Sequence, residues 1–348
     1  MTGKYKSSAE IIPLDETVGK VLAHDITEIR PGQFKGVAFR KGHIIRKQDL
    51  EHLRRLGKEH LFILCIEPGE VHEDDAAIRL AKALAGPGVM FEKNPSEGKV
   101  PLKSNRKGLL KVNVKALTEL CLISTICCSS RHNNIFVEKG ETIAATRVIP
   151  LIIDELTLNE ATKISDAAGG IFSVKELLKL EAGLIITGNE VFYGRIEDKF
   201  APIIKQKLAF FDCQLKEILY SPDDRSQIAQ GIRDLREKGL GLILIAGGMS
   251  VDPDDVSRLA IADAGAGDIV YGTPVLPGAM FLYGRFDEVP VMGLPACILY
   301  YKSTVFDLVL PRVLAGERIT RMDLAAMAHG GLCMNCEECR YPICPFGK

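Results

Sequence analysis

From Leu184 to Asp263 the chain repeats one phrase: a short apolar run, a polar loop, then an amphipathic helical stretch. LIIT (184–187) leads through GNEVFYGRIED to KFAPIIKQKLAFF. QLKEILYS leads through Pro222, Asp223 and Asp224 to RSQIAQGIRDLREKG. LGLILIA leads through GGMSVDPDD to VSRLAIADAG. Strands alternating with helices make βαβ units, whose strands lie parallel in a sheet covered on both faces. The expected fold class is therefore α/β, a mostly parallel sheet sandwiched by helices.

Upstream the texture is different, and it reads as mixed α+β and β-rich domains. DETVGKVLAHDI is helix-like, Pro31-Gly32 marks a turn, and QDLEHLRRLG is a short amphipathic helix stopped by Gly57. LFILCI (61–66) reads as a buried strand and EDDAAIRLAKALAG as a helix with an acidic start. From Val89 to about Leu158 short apolar runs separated by Gly, Pro, Asn and Lys are β-like. The glycines after Ala167-Ala168 mark a boundary. The expected division is an α+β segment 1–70, a β-rich domain 71–170, an α/β domain 171–318 and a Cys-rich tail 319–348.

With 348 residues and a net charge of −1, the chain has room for several cores and no bulk field for nucleic acid or an anionic membrane. Its most apolar run, Leu240–Met249, is about half of a membrane span, and MTGKYKSSAE lacks an apolar signal segment. The expectation is a cytoplasmic protein. The basic stretch 99–115 reads either as a phosphate-attracting face or as one solvated face of a β-hairpin. Six of the ten cysteines are scattered, mostly in apolar runs as small core residues: Cys65, Cys121, Cys127, Cys128, Cys213 and Cys297.

In open parallel sheets, ligands sit outside the carboxyl ends of the strands, where these three loops fall. Gly247 and Gly248 let backbone approach a ligand, and consecutive amides there suit a phosphate. Asp252, Asp254 and Asp255 follow at once, Asp223-Asp224 hold the equivalent place one unit earlier, and Glu190 lies in the first loop. Carboxylates beside an anion cradle call for a hard cation, Mg²⁺, bridging them to phosphate oxygens; helix capping alone accounts for some of them.

TGNE (187–190), DD (223–224), AGGMSVDPDD (246–255), PVLPG (274–278) and GLP (293–295) resemble, in order and spacing, the molybdopterin-binding domain. That domain is shared by molybdopterin adenylyltransferases, molybdopterin molybdenumtransferases, gephyrin and the competence-damage proteins. SSAEIIPLDETVGKVLAHDI is similar to the start of the molybdenumtransferases. The resemblance implies that Gly247, Gly248 and Ser250 hold the phosphate of molybdopterin or its adenylylated form. It implies that Thr187, Gly188 and Asn189 border the cofactor. Glu190, Asp224 and Asp252 or Asp255 would handle Mg²⁺ or molybdate. Pro277, Gly278, Gly293 and Pro295 would shape the pocket wall. Two motifs depart from the family: Asn189 replaces the aspartate of TGDE, and GLPACI replaces GLPGNP, which introduces Cys297. The acid-Gly-Tyr-Ala run of the molybdenumtransferases has no counterpart.

The last motif is Cys333, Cys336, Cys339 and Cys344 within twelve residues, followed by Pro345. This spacing lets a short loop wrap a metal centre, and it resembles a bacterial ferredoxin run with one extra residue before the last cysteine. An iron–sulfur cluster or tetrahedral Zn²⁺ are the two readings, with metal or docking needed to order the tail.

Three functions follow as expectations. The first is a molybdopterin-binding transferase of molybdenum-cofactor biosynthesis, adenylyl-transferring or molybdate-inserting. The second is a non-catalytic cofactor carrier or sensor that docks through its tail on a molybdoenzyme or another biosynthetic protein. The third is a nucleotide pyrophosphatase of the competence-damage type. All three take a small pterin or nucleotide, no nucleic acid and no membrane, and the relatives' assemblies suggest a homo-oligomer.

Overall fold

A computed structural model of the chain describes residues 10–30, 33–63, 66–96 and 98–348. The expected turn at Pro31-Gly32 and the core cysteine Cys65 lie outside them. The chain divides into two units, the second comprising residues 107–109, 134–136 and 175–348.

In this second unit the expected rhythm becomes strands β1 (Glu181–Thr187), β2 (Gln214–Ser221) and β3 (Leu242–Ala246). Three more complete the sheet: β4 (Gly267–Tyr271), β5 (Leu282–Phe286) and β6 (Val289–Leu294). The order is β2-β1-β3-β6-β5-β4. β2, β1, β3 and β6 run parallel, whereas β4, β5 and β6 form an antiparallel extension. β5 and β6 are joined by Asp287 and Glu288, and Asp287 takes a positive φ of 52°. The mostly parallel α/β sheet is as the sequence indicates; the antiparallel edge is an addition to it.

The helices are α1 (Asn189–Phe192), α2 (Phe200–Phe210), α3 (Arg225–Glu237), α4 (Ser257–Asp263), α5 (Val305–Leu314) and α6 (Arg321–Ala326). Side chains alternate across the sheet with period two. Leu184, Leu242 and Leu244 pack with Ile204 and Leu208 of α2 and Val305 and Val309 of α5. Ile185, Ile243 and Ile245 face the other way, into Ile228 and Ile232 of α3 and Ile261 of α4. β3 is buried throughout because both of its neighbours and both layers cover it. β2, at the sheet edge, alternates exposed and half-buried residues.

The first unit mixes small sheets and helices. A four-stranded antiparallel sheet pairs Val89–Phe91, Val100–Ser104, Thr142–Val148 and Ile126–Ser130 in that order. Val100–Ser104 therefore finds partners other than Gly108–Val112, so the basic stretch is not a hairpin. Its Lys103 pairs with Glu92. Two helices lie hidden in the β-like texture. Asn113 and Asp154 accept hydrogen bonds from the amides of Ala116 and Thr157, capping Val114–Cys121 and Glu155–Ala167. DETVGKVLAHDI is not a helix. After a 3₁₀ turn at Leu14–Glu16, Gly19 takes a positive φ of 84° and Leu22 and Ala23 donate to His43 and Phe62. Of the scattered cysteines, Cys128 and Cys213 are buried, whereas Cys121 and Cys127 are exposed. Burial pushes the Cys128 thiol up to about 12.

α5 and α6 are joined by a buried ion pair. Arg312, nine-tenths covered, donates to Glu317 at 2.9 Å and to Asp323 at 2.6 Å. Burial would raise the Asp323 carboxyl, but hydrogen bonds from Arg312 and Thr320 outweigh it and hold the group at about 2. A carboxylate depressed in the folded state stabilises it above its ordinary pKa and ceases to as pH falls through the folded value. The urea midpoint is predicted to drop between about pH 4 and 2, and Asp323→Asn to flatten that segment of the profile. An identical profile in the variant would contradict the role given to this pair.

Candidate functional site

Parallel register places the ends of four strands level. Thr187 pairs with Ser221, Ile186 with Ala246, and Ala246 with Leu294. The loops after them carry TGNE, Asp223-Asp224, GGMSVDPDD and the Pro295 turn. The PVLPG loop enters β5 at the same edge, where Leu282 pairs with Gly293. All five motifs thus gather at the carboxyl edge of the sheet.

The glycine loop is held by close approach to its own neighbours. Gly247 and Gly248 have φ of 97° and 63°. A Cβ on Gly247 would lie 2.7 Å from the Thr187 carbonyl oxygen, and one on Gly248 would lie 2.4 Å from Ser257 Oγ. Buried Thr187 ties the two loops, its Oγ1 lying 3.4 Å from the Ala246 carbonyl oxygen and 3.3 Å from Ser257 Oγ. No described residue accepts from the amides of Gly248, Met249, Ser250 or Val251, whereas that of Gly247 donates to Leu294. Successive amides without an acceptor are donors that an anion can use. Met249 is buried beneath it, its carbonyl accepting from Tyr271 Oη at 2.7 Å. Gly293 leaves room for its sulfur, since a Cβ there would lie 2.4 Å from Sδ.

The acids divide into two kinds. Asp224 caps α3, accepting from Gln227 at 2.8 Å and Ser226 at 2.7 Å, and these bonds lower its pKa. Asp223 faces inward: its Oδ2 accepts from the Asn189 amide at 3.0 Å while its own amide reaches Asn189 Oδ1 at 3.4 Å. Burial raises the Asp223 carboxyl, and the charges of Glu190, Asp255 and Asp254 raise it further, against the lowering Asn189 bond. Asp223 therefore lies within electrostatic reach of Glu190, Asp255 and Asp254. Asp252 and Asp255 brace one another's turn, and the helix beyond has Val256 as an uncapped N-cap. Asp223 was distinguishable in the sequence: the second acid of the pair directly precedes a helix, which leaves the first one free.

The residues fit a phosphate beside a hard cation: open amides on one side, oxygen donors on the other. Among the described residues no three His, Cys, Asp or Glu side chains are grouped as ligands of one ion. Mg²⁺ usually takes one or two carboxylates plus substrate phosphates, so a complete protein cage is not required.

Further along the edge, Pro277, Gly278, Pro295 and Cys297 border a cleft of about 430 Å³, together with Leu332 and Cys333 of the tail. Gly278 has φ 132° and leaves no room for a Cβ, which would lie 2.4 Å from Val305. Burial raises the Cys297 thiol, which keeps it protonated at neutral pH. Docking orders the tail: Leu276 donates to Gly331 and Cys333 donates to Leu276, both at 2.8 Å, and Phe346 is buried in the core. All four tail cysteines are free thiols.

Part of the chain is similar to known proteins. Residues 183–315 match the family described as probable molybdopterin binding domain. Residues 11–65 match a domain of unknown function, DUF8806. A molybdopterin molybdenumtransferase of Synechococcus elongatus is 27% identical over 147 residues, 40% of this chain and 36% of that protein. A CinA-like protein of Mycobacterium tuberculosis is 33% identical over 81 residues, 23% of this chain and 19% of that protein. The chain spans about a third or less of the length of the first curated relatives it matches. The crystal structure of the molybdopterin biosynthesis enzyme MoaB of Thermus thermophilus aligns at 20% identity and a TM-score of 0.35, over 40% of this chain and 98% of that one.

The packing of the glycine loop yields a direct prediction. Gly248→Ala meets both a left-handed backbone and the Ser257 hydroxyl, and should cost about 2 kcal/mol of stability. Adding Ser257→Ala should recover part of that loss in urea melts. Equal stability of Gly248→Ala and the parent would contradict the close approach.

Proposed function

We propose that this chain binds molybdopterin, or its adenylylated form, with Mg²⁺ at the carboxyl edge of the sheet, in the biosynthesis or handling of the molybdenum cofactor. The reading is supported by the open amides at Gly248–Val251 and the carboxylates of Asp223, Glu190, Asp254 and Asp255, all carried by loops at the carboxyl edge of the sheet. In this reading the amides and Ser250 hold the phosphate, and Thr187 and Gly188 keep the loop in shape around it. Asp223, Glu190, Asp254 and Asp255 share the cation, Asp252 braces the turn that carries two of them, and Asp224 acts by fixing the start of α3. Mg²⁺ supplies charge neutralisation between the acids and phosphate oxygens. Pro277, Gly278, Gly293 and Pro295 shape the far wall. A metal centre at the tail cysteines belongs to the same proposal.

A carrier or sensor is the second reading, and one observation favours it. The tail pairs with Leu276 and lines the cleft that Pro277, Gly278 and Pro295 border, so a partner grasping the tail would touch the pocket wall. A molybdoenzyme or another cofactor-handling protein has the matching need for the ligand.

Equilibrium titration of the full chain with molybdopterin under anaerobic conditions, with and without Mg²⁺, tests the reading. Affinity is expected to rise with Mg²⁺, and Asp223→Asn is expected to reduce that Mg²⁺ effect about tenfold, or ~1.4 kcal/mol. Absence of pterin binding, or binding indifferent to both Mg²⁺ and Asp223, would overturn it. Molybdate insertion or AMP release in the same mixture selects the transferase; neither, with tight binding, selects the carrier. Turnover of ADP-ribose without pterin affinity selects the pyrophosphatase.

A further inference from the structure

In the first unit, the described residues from Glu10 to Ile63 carry a small core of their own. Leu22, Ile26, Phe39, Ile45 and Leu61 are buried in one cluster whose described buried members all lie between Ile12 and Ile63.

Polar bonds carry this segment to the helix Glu73–Leu84, and they meet at one histidine. His72 is the N-cap of that helix and is buried, with 1% of its surface exposed. Its Nε2 lies 2.7 Å from the Ala23 carbonyl oxygen, and its Nδ1 lies 2.7 Å from Lys41 Nζ and 3.1 Å from the Asp74 amide nitrogen. Lys41 Nζ also pairs with Asp74 at 2.9 Å, and the Lys41 amide donates to Asp25 at 2.8 Å. The helix start is fixed in turn by strand pairing of His72 with Ile152 and by the Glu73 amide, which donates to Leu151 at 2.8 Å.

These partners suit one protonation state. A carbonyl oxygen only accepts, so Nε2 carries the hydrogen; an ammonium and an amide only donate, so Nδ1 offers its lone pair. A proton on Nδ1 faces both donors at once. It removes the acceptor that caps the helix and drives the ring and Lys41 apart, and a ring that turns away takes the Ala23 bond with it.

The charges around the ring are mixed. Burial holds His72 below its ordinary pKa and Lys41 adds to this, against the Ala23 carbonyl, Asp74 and Asp75. Burial also lowers His24, with Lys58 and His72 adding and Asp25 opposing. The buried His24 Nδ1 has no hydrogen-bond partner among the described residues. Glu73, raised by burial, pairs with Arg147 at 3.3 Å.

We propose that His72 is an acid-sensitive latch, closed on the segment 10–63 when its ring is neutral and open when the ring is protonated. A histidine depressed in the folded state stabilises it fully above the ordinary value of 6.5 and ceases to as pH falls below that value. Release on acidification is the direction this sign requires. The latch lies in the first unit and is independent of the pterin reading.

Hydrogen exchange of the full chain between about pH 7.5 and 5, corrected for the intrinsic pH dependence of exchange, tests this. Protection of residues 20–30 and 33–45 is expected to fall severalfold on acidification, while the helix Glu155–Ala167 and the strand Glu181–Thr187 keep theirs. His72→Asn retains an acceptor for the helix cap and cannot titrate, so protection there should not change across this range. Lys41→Met removes a charge that opposes the proton and should move the transition to higher pH. Protection indifferent to pH in the parent, an equal pH response in His72→Asn, or a shift to lower pH in Lys41→Met would overturn the proposal. If a variant does not fold, NMR titration of the His72 ring in the unsubstituted chain decides: a pKa below 6.5 is expected, and one at or above it contradicts the latch.

Discussion

The candidate site depends on how closely one loop can approach the end of a neighbouring strand. β1 and β3 finish level, and the chain leaving β3 turns at Gly247 and Gly248 directly against Thr187 and Ser257. No side chain fits at either position, so the turn is locked by packing on its inner side. In the proposed reading the amides that follow are held ready before an anion arrives, so little ordering cost falls on binding. Asp223 feels the repulsion of Glu190, Asp254 and Asp255, which a cation relieves in the proposed reading.

Much of this was legible in the sequence, for definite physical reasons. A strand buried on both faces must be apolar throughout, and LILIA at 242–246 announces that without ambiguity. The glycines and acids after it could be placed at one edge because parallel βαβ units bring strand ends together. The division of labour between Asp223 and Asp224 depends on helix capping geometry, decided by a single residue of register. The glycine pair also had two explanations that sequence alone could not separate. Its close approach is to Thr187 and Ser257, and the amides that follow are the ones proposed to receive a phosphate.

The remainder was concealed by short elements. Helices of eight and thirteen residues at Val114–Cys121 and Glu155–Ala167 begin at Asn113 and Asp154 amid β-like composition, and caps weigh little in a periodicity argument. DETVGKVLAHDI has helical residues, yet Gly19 and the bonds of Leu22 and Ala23 to other segments win over local propensity. The tail was legible as a cysteine cluster. Its pairing with Leu276 was not, because a single isolated bridge leaves no pattern in composition.

The central claim is that the amides after Gly247 receive a phosphate. Amide hydrogen exchange, resolved residue by residue, measures this directly when the full chain is compared with and without molybdopterin in the presence of Mg²⁺. The account predicts slowed exchange at Gly248, Met249, Ser250 and Val251, whose amides have no acceptor among the described residues. Bound pterin that leaves these four amides exchanging at their free rate would contradict it.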